Sequence, residues 1–171
     1  MKKALLVIDV QQFFINDSSK FLPIKIAGFL QKNKFDFVYF FKFANSENSN
    51  WVKVQKWNKM INSDEQEVAN ELKPFLKSDN VFVKESNFSV FSIKAFNNIL
   101  ERNEINELFI CGMDSDACVY VSAMEAFARG FDVKVLEDLC AASHGNEYHK
   151  SAIKMLQRNL GESTVISSEI L

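Results

Sequence analysis

An aspartate, a lysine and a cysteine each stand where an apolar run of the chain gives out. Asp9 follows Ala4-Leu5-Leu6-Val7-Ile8, Lys84 ends the run that begins at Asn80, and Cys118 lies just beyond Cys111-Gly112-Met113-Asp114-Ser115. A cysteine that loses its proton can attack an electrophilic carbon. A carboxylate can take that proton and pass it to a leaving group, and an ammonium beside the sulfur favours the thiolate. Ser115 or Asp116 can cap a helix that Gly130 closes, and either choice puts Cys118 in the first turn. Amide groups in a first turn lack intrahelical partners and the helix dipole is positive there, so the sequence predicts a Cys118 thiol of lowered pKa with Lys84 as its cation. The carboxylates of Asp114 and Asp116 oppose this if they face the sulfur. The amides of Asp114 and Cys118 can meet a developing oxyanion. Each residue also has a purely structural reading: acids and lysines at strand ends form caps and ion pairs, and a first-turn cysteine commonly packs in the core.

For these groups to meet, the elements that carry them must end along one edge. Val-, Ile- and Phe-rich runs at 4–10, 35–43, 80–84, 107–111, 131–136 and 163–167 read as strands, apolar on both faces as in a parallel sheet covered on both sides. Segments of helical period lie between them, at 21–32, at 51–57 together with 65–76, and at 92–102, 116–129 and 146–160. This alternation predicts a three-layer α/β/α domain spanning 1–171 with right-handed crossovers, no linker and no internal repeat. Ligands of open parallel sheets bind beyond the carboxyl ends of the strands, which gathers Asp9, Lys84 and Cys118 at one rim.

Composition removes several classes of function. Lys and Arg number 20 against 22 Asp and Glu, a net charge of −2 with no basic block, so nucleic acid has no electrostatic footprint here. Five Gly and two Pro argue against collagen-like or disordered chains. No apolar run approaches the ~20 residues of a membrane span. The apolar stretch after Lys2-Lys3 stops at Asp9, short of the roughly 7–15 residues of a signal-peptide core. Cys111, Cys118 and Cys140 are odd in number and lack CxxC spacing, which points to reduced thiols and a cytoplasmic location. The 17 Phe, two Trp and three Tyr imply an aromatic core, with a pocket or a subunit interface as further places for such rings.

His144 and His149 are off the four-residue spacing that aligns two metal ligands on a helix, and no metal is expected. His149 reads as packing near the start of the last helix, His144 as a rim residue able to touch a substrate. Cys111 reads as buried, whereas Cys140 can border the cleft. Trp51 and Trp57 read as packing against the domain or a neighbouring subunit, with a pocket lid as the alternative.

The runs Ala4-Leu5-Leu6-Val7-Ile8-Asp9-Val10-Gln11, Lys84 with Phe88-Ser89-Val90-Phe91, and Gly112-Met113-Asp114-Ser115-Asp116-Ala117-Cys118-Val119 with Ala123, Ala126 and Gly130 resemble the isochorismatase-like cysteine hydrolases. The resemblance spans nearly the whole chain, including Glu137-Asp138 and the His149 helix. It implies a mostly parallel six-stranded sheet of order 3-2-1-4-5-6, a triad of Asp9, Lys84 and Cys118, and a cis peptide between Met113 and Asp114. It further implies oxyanion amides at Asp114 and Cys118, a small-molecule substrate, no cofactor, and self-association. In that family the sulfur attacks a carbonyl, ammonia or an amine leaves, and water hydrolyses the thioester. Members that act on isochorismate cleave a vinyl ether and can lack the cysteine, so Cys118 implies hydrolysis of an amide or other C–N bond. Gln11, Phe14, Phe88 and His144 are expected to line the substrate pocket.

Three departures accompany the likeness. Phe13 stands where the family's Asp-x-Gln-x-Asp-Phe opening has its second acid, and the stretch from Lys84 to Phe88 is one residue longer. The Asp-x-His metal site that nicotinamidases carry after strand 2 is replaced by Lys42-Phe43-Ala44-Asn45 and Asn48-Ser49-Asn50, without histidine. The proposed order also sets Lys84 two strands from Asp9, with strands ~4.8 Å apart. Two other readings remain: a non-hydrolytic binding or redox-sensing module in which Cys118 and Cys140 form a disulfide, and a nucleotide binder. Against the latter, Gly112 stands without the other glycines of GxGxxG or GxxxxGK.

Overall fold

In the computed structural model, which describes residues 2–171, the apolar runs become six parallel strands in the order β3-β2-β1-β4-β5-β6. They are β1 (Lys2–Ile8), β2 (Phe37–Ala44), β3 (Val81–Glu85), β4 (Ile105–Gly112), β5 (Asp132–Cys140) and β6 (Val165–Ile166). The central pair shows why: Ala4 to Ile8 of β1 and Leu108 to Gly112 of β4 are buried at every position, so no residue there needs a solvent-facing side. The boundaries differ from the sequence reading in one useful way. Strand β1 stops at Ile8 and β3 runs on to Glu85, so Asp9 lies just past its strand and Lys84 lies inside its own.

Five helices connect the strands: α1 (Leu22–Lys32), α2 (Asn50–Lys53), α3 (Lys94–Arg102), α4 (Cys118–Ala128) and α5 (Asn146–Leu160). Right-handed crossovers put α1 on one face and α3, α4 and α5 on the other. Accordingly α1 packs on the Asn70–Phe75 turn and on β5, while α4 packs on α5 and β5. Phe41 of β2, Phe82 of β3 and Phe96 of α3 meet in one cluster, with the Phe41 and Phe96 rings 4.8 Å apart edge to face.

The helix expected over 51–57 and 65–76 does not form. A single turn, α2, is followed by 3₁₀ turns at Ser63–Gln66 and Asn70–Phe75, the second containing Pro74. Pro74 lacks the N–H a longer helix would use, and Val68 is drawn into an antiparallel bridge with Gln11. Leu72 is fully buried, so the apolar spacing serves packing without a helix.

One backbone position fixes the rim. Gly112 has φ +120°, and a Cβ there would lie 2.1 Å from the Ile8 carbonyl oxygen. Only glycine permits this approach. It lets the Met113 N–H donate to Ile8 O at 2.8 Å, carrying the chain back over the end of β1 towards α4.

Candidate active site

Asp9 sits in the left-handed region at φ +50°, a conformation that aspartate tolerates better than most residues. Its N–H still donates to Phe41 O at 2.9 Å, which anchors it to β2 as the chain leaves the sheet. Lys84 pairs in register with Phe43 on β2, and its stem crosses that strand with Nζ 5.4 Å from the Phe43 ring centre. The span of two strand positions is bridged in this way. Lys84 Nζ donates to Asp9 Oδ2 at 2.7 Å, to the Asn87 carbonyl at 3.2 Å and to Cys118 Sγ at 3.5 Å. Between Lys84 and Phe88 the chain turns at Ser86, φ +46°, and the Asn87 carbonyl that follows accepts from the ammonium.

The lysine and aspartate are almost completely buried, with side-chain exposures of 0% and 2%. Asp9 Oδ1 has no hydrogen-bond partner among the described residues. Burial raises the Asp9 pKa above the usual carboxylate value against the pull of Lys84. Burial also opposes charge on Lys84, but Asp9 and Cys118 outweigh it and hold the ammonium. For Cys118, burial and the neighbouring Asp9 push the thiol well above its ordinary value despite Lys84. This reverses the lowered pKa expected from the sequence: removing the sulfur from water and seating it against a carboxylate outweighs the Lys84 ammonium.

Cys118 opens α4, as expected, but neither Ser115 nor Asp116 caps it. Ala117 occupies the N-cap and makes no side-chain cap bond. The Ser115 hydroxyl is engaged with His149 Nδ1 at 3.0 Å, and Asp116 is exposed. The amides of Ala117 and Val119 donate to the Asp114 carbonyl, whereas the Cys118 and Asp114 amides have no acceptor among the described residues. The peptide between Met113 and Asp114 is cis, with Met113 buried. The Asp114 carboxylate turns to Ser143, accepting its N–H at 2.7 Å and its hydroxyl at 2.8 Å. The 88–92 segment is tied to α4 through Val90 N–H to Ser122 Oγ and through Ser89 to Glu125.

Cys118 forms part of the wall of a cavity of about 580 Å³. Phe14, Phe88 and His144 line it, together with Phe13, Phe43, Trp51, Trp57, Asp114 and Asp116. Gln11 does not. It is fully buried, with its amide donating to Phe43 O and Gln66 O and accepting the Phe43 N–H, so it clamps β2 to the 66–68 segment. Trp51 and Trp57 belong to the cavity because the helix that holds Trp51 ends at Lys53 and the chain folds both rings over Phe43, with ring centres 5.2 and 6.1 Å away. Phe43 and Ser143 were missed. The cue was available in the strand pattern: Phe43 stands beside Lys84 on the neighbouring strand, and Ser143 follows β5 at the same rim.

Cys140 borders a different cavity, of about 360 Å³, with Lys25, Glu137, Asp138 and His149. Its thiol is pushed up to about 12 by burial, and it adds to the raised value of Cys111. Burial lowers the pKa of His149. The segment after β2 does not fit a metal: Asn45 spends its amide on the carbonyls of Trp57 and Lys59 and accepts from Ser49 Oγ. No group of metal-ligating side chains occurs among the described residues.

Residues 3–169 match the Isochorismatase domain family. The chain belongs to the isochorismatase family. This places it among hydrolases. The fold of this isochorismatase-family chain is shared by an isochorismatase-like hydrolase from Alkaliphilus metalliredigens at 18% identity, with 99% of this chain and 97% of that one covered and a TM-score of 0.86. A pyrazinamidase/nicotinamidase from Streptococcus mutans UA159 is similar at 22% identity, 96% and 100% coverage and a TM-score of 0.81. N-carbamoylsarcosine amidase from Thermoplasma acidophilum is similar at 23% identity, 99% and 98% coverage and a TM-score of 0.75.

Proposed function

We propose that residues 1–171 form one hydrolase domain that cleaves an amide or other C–N bond of a small molecule through a thioester on Cys118. The observation that carries this reading is the Lys84 ammonium, 2.7 Å from Asp9 and 3.5 Å from a sulfur at a cavity wall. The amidase names of two structural neighbours favour C–N bonds as targets.

Burial and Asp9 raise the Cys118 pKa, which favours a nucleophile that forms as it attacks. Asp9, with Oδ1 unpartnered, accepts the Cys118 proton while the sulfur adds to the substrate carbonyl carbon. The carbonyl oxygen takes the electron pair and is met by the free amides of Cys118 and Asp114. The tetrahedral centre collapses, Asp9 returns the proton to the departing nitrogen, and ammonia or an amine leaves a thioester. Water then adds to that carbon and gives its proton to Asp9. Collapse releases the carboxylic acid, and the sulfur regains the proton from Asp9. Lys84 stays charged throughout, compensating whichever of Asp9 and Cys118 is anionic.

The test is ammonia release from a panel of carboxamides, carbamoyl compounds and ureides, with mass spectrometry of the peptide holding residue 118. An acyl adduct on Cys118 and loss of turnover in Cys118→Ala are expected; unchanged turnover in that variant overturns the mechanism. The reading includes a cytoplasmic location, supported by three free thiols, and self-association, which light scattering of the purified protein checks.

A further inference from the structure

The lining of the cavity beside Cys118 combines two chemistries. Its rings form an unbroken arc: Phe14 against Phe13 at 5.5 Å, Phe13 against Trp57 at 6.0 Å, Trp57 against Phe43 at 6.1 Å, Phe43 against Trp51 at 5.2 Å and Trp51 against Phe88 at 4.9 Å. Asp114 and Asp116, on the segment leading into α4, line the same cavity, as do Ser143 and His144. Among the described residues no lysine or arginine lines the space, and Lys84 is already matched by Asp9. Neither Asp114 nor Asp116 forms an ion pair among the described residues. Asp114 is half-buried and its oxygens are held only by the neutral donors of Ser143. A partly desolvated carboxylate without a counter-ion is costly, and a cation entering the cavity removes that cost.

We propose that this cavity selects amides bearing a fixed positive charge, a quaternary or protonated amine held by the aromatic arc and the Asp114 and Asp116 carboxylates while the amide carbon meets Cys118. A lining of aromatic rings together with carboxylates that lack an ion pair is complementary to a weakly hydrated cation. An anionic substrate would meet two like charges with only the His144 imidazole in the lining to offset them. A neutral one would fill the arc and leave the carboxylates unmatched. The proposal rests on the hydrolase reading above and adds the charge of its substrate.

The experiment compares three amides of similar size: (trimethylammonio)acetamide, its neutral carbon analogue 3,3-dimethylbutanamide, and succinamate. Binding is measured by ligand-observed NMR on Cys118→Ala protein, and ammonia release is measured on the wild type. The cation is expected to bind about tenfold more tightly than the neutral analogue, and succinamate more weakly than either. The preference is expected to shrink to about threefold or less in Asp116→Asn on the same Cys118→Ala background, and to fall with added salt on the Asp116-containing protein. Aspartate 116 is exposed on a loop, so its substitution leaves the core untouched, and the salt titration needs no second substitution. Equal affinities, no detectable binding of the cation, or a preference indifferent to both salt and Asp116→Asn overturn the proposal. Selective cation binding without ammonia release upholds the charge preference and counts against hydrolysis of this amide. Release from all three at equal kcat/KM with equal binding upholds hydrolysis and removes the charge preference.

Discussion

Two lysine–aspartate pairs stand near the carboxyl end of the sheet, and they differ in almost everything except composition. Lys84 and Asp9 meet at 2.7 Å with 0% and 2% side-chain exposure; Lys25 and Asp138 meet at 2.9 Å with 44% and 19%. Asp138 has donors on both oxygens, taking the Ser168 N–H and hydroxyl at 2.6 Å each in addition to the lysine. Burial works against its charge, yet Ser168 and Lys25 hold its pKa below the usual value. Asp9 has one lysine, one oxygen without a partner, and a pKa raised by burial. A carboxylate with donors on both oxygens is held as an anion, whereas one kept dry with one oxygen unmatched is poised to take a proton.

Breaking the buried pair is expected to give the largest effects. Lys84→Met leaves Asp9 dry and uncompensated, so turnover is expected to fall at least about a thousandfold and stability by about 3–5 kcal/mol, read from urea unfolding. Asp9→Asn is expected to match that loss of turnover, since the amide cannot accept the Cys118 proton.

A pH titration sharpens the contrast without any substitution. Asp9 must be ionised to accept the thiol proton, so kcat/KM is expected to fall as pH drops through its raised pKa, with a midpoint above the ordinary carboxylate range. Cys118, Asp9 and Lys84 titrate as one unit, so the limb belongs to the triad. Asp138→Asn is expected to leave it in place.

The effect of Asp138 falls instead on stability. Its folded pKa is depressed, so it stabilises the protein above its unfolded pKa, and the benefit is lost as pH falls through the folded value. Asp138→Asn is expected to cost about 1 kcal/mol at neutral pH, a difference that closes as pH falls below about 4, followed by thermal unfolding across pH. Lys25→Met is expected to do least, with a change below about 1 kcal/mol and turnover within about twofold of wild type.

The rim was legible in the sequence because each of its three charged or nucleophilic side chains lies at or just past the end of an apolar run, and parallel topology brings such ends together. What sequence could not supply was protonation: the dipole and the lysine were visible around Cys118, but the extent of its burial was not. The aromatic arc was hidden by a wrong element. The spacing of Val68, Leu72 and Phe75 fits a helix, yet Val68 pairs with Gln11 and Pro74 lies within a 3₁₀ turn, so the local pattern yielded to tertiary pairing. Gln11 was misplaced for a related reason, its amide being consumed by the backbone of Phe43 and Gln66.

The chain's two tryptophans, Trp51 and Trp57, both line the cavity. Indole emission from this protein is therefore a spectroscopic signal of that one place, arising beside the space a ligand fills and free of background from other indoles. A binding titration can be followed by intrinsic fluorescence without a label, and the same band recorded during refolding reports when the wall around the sulfur closes.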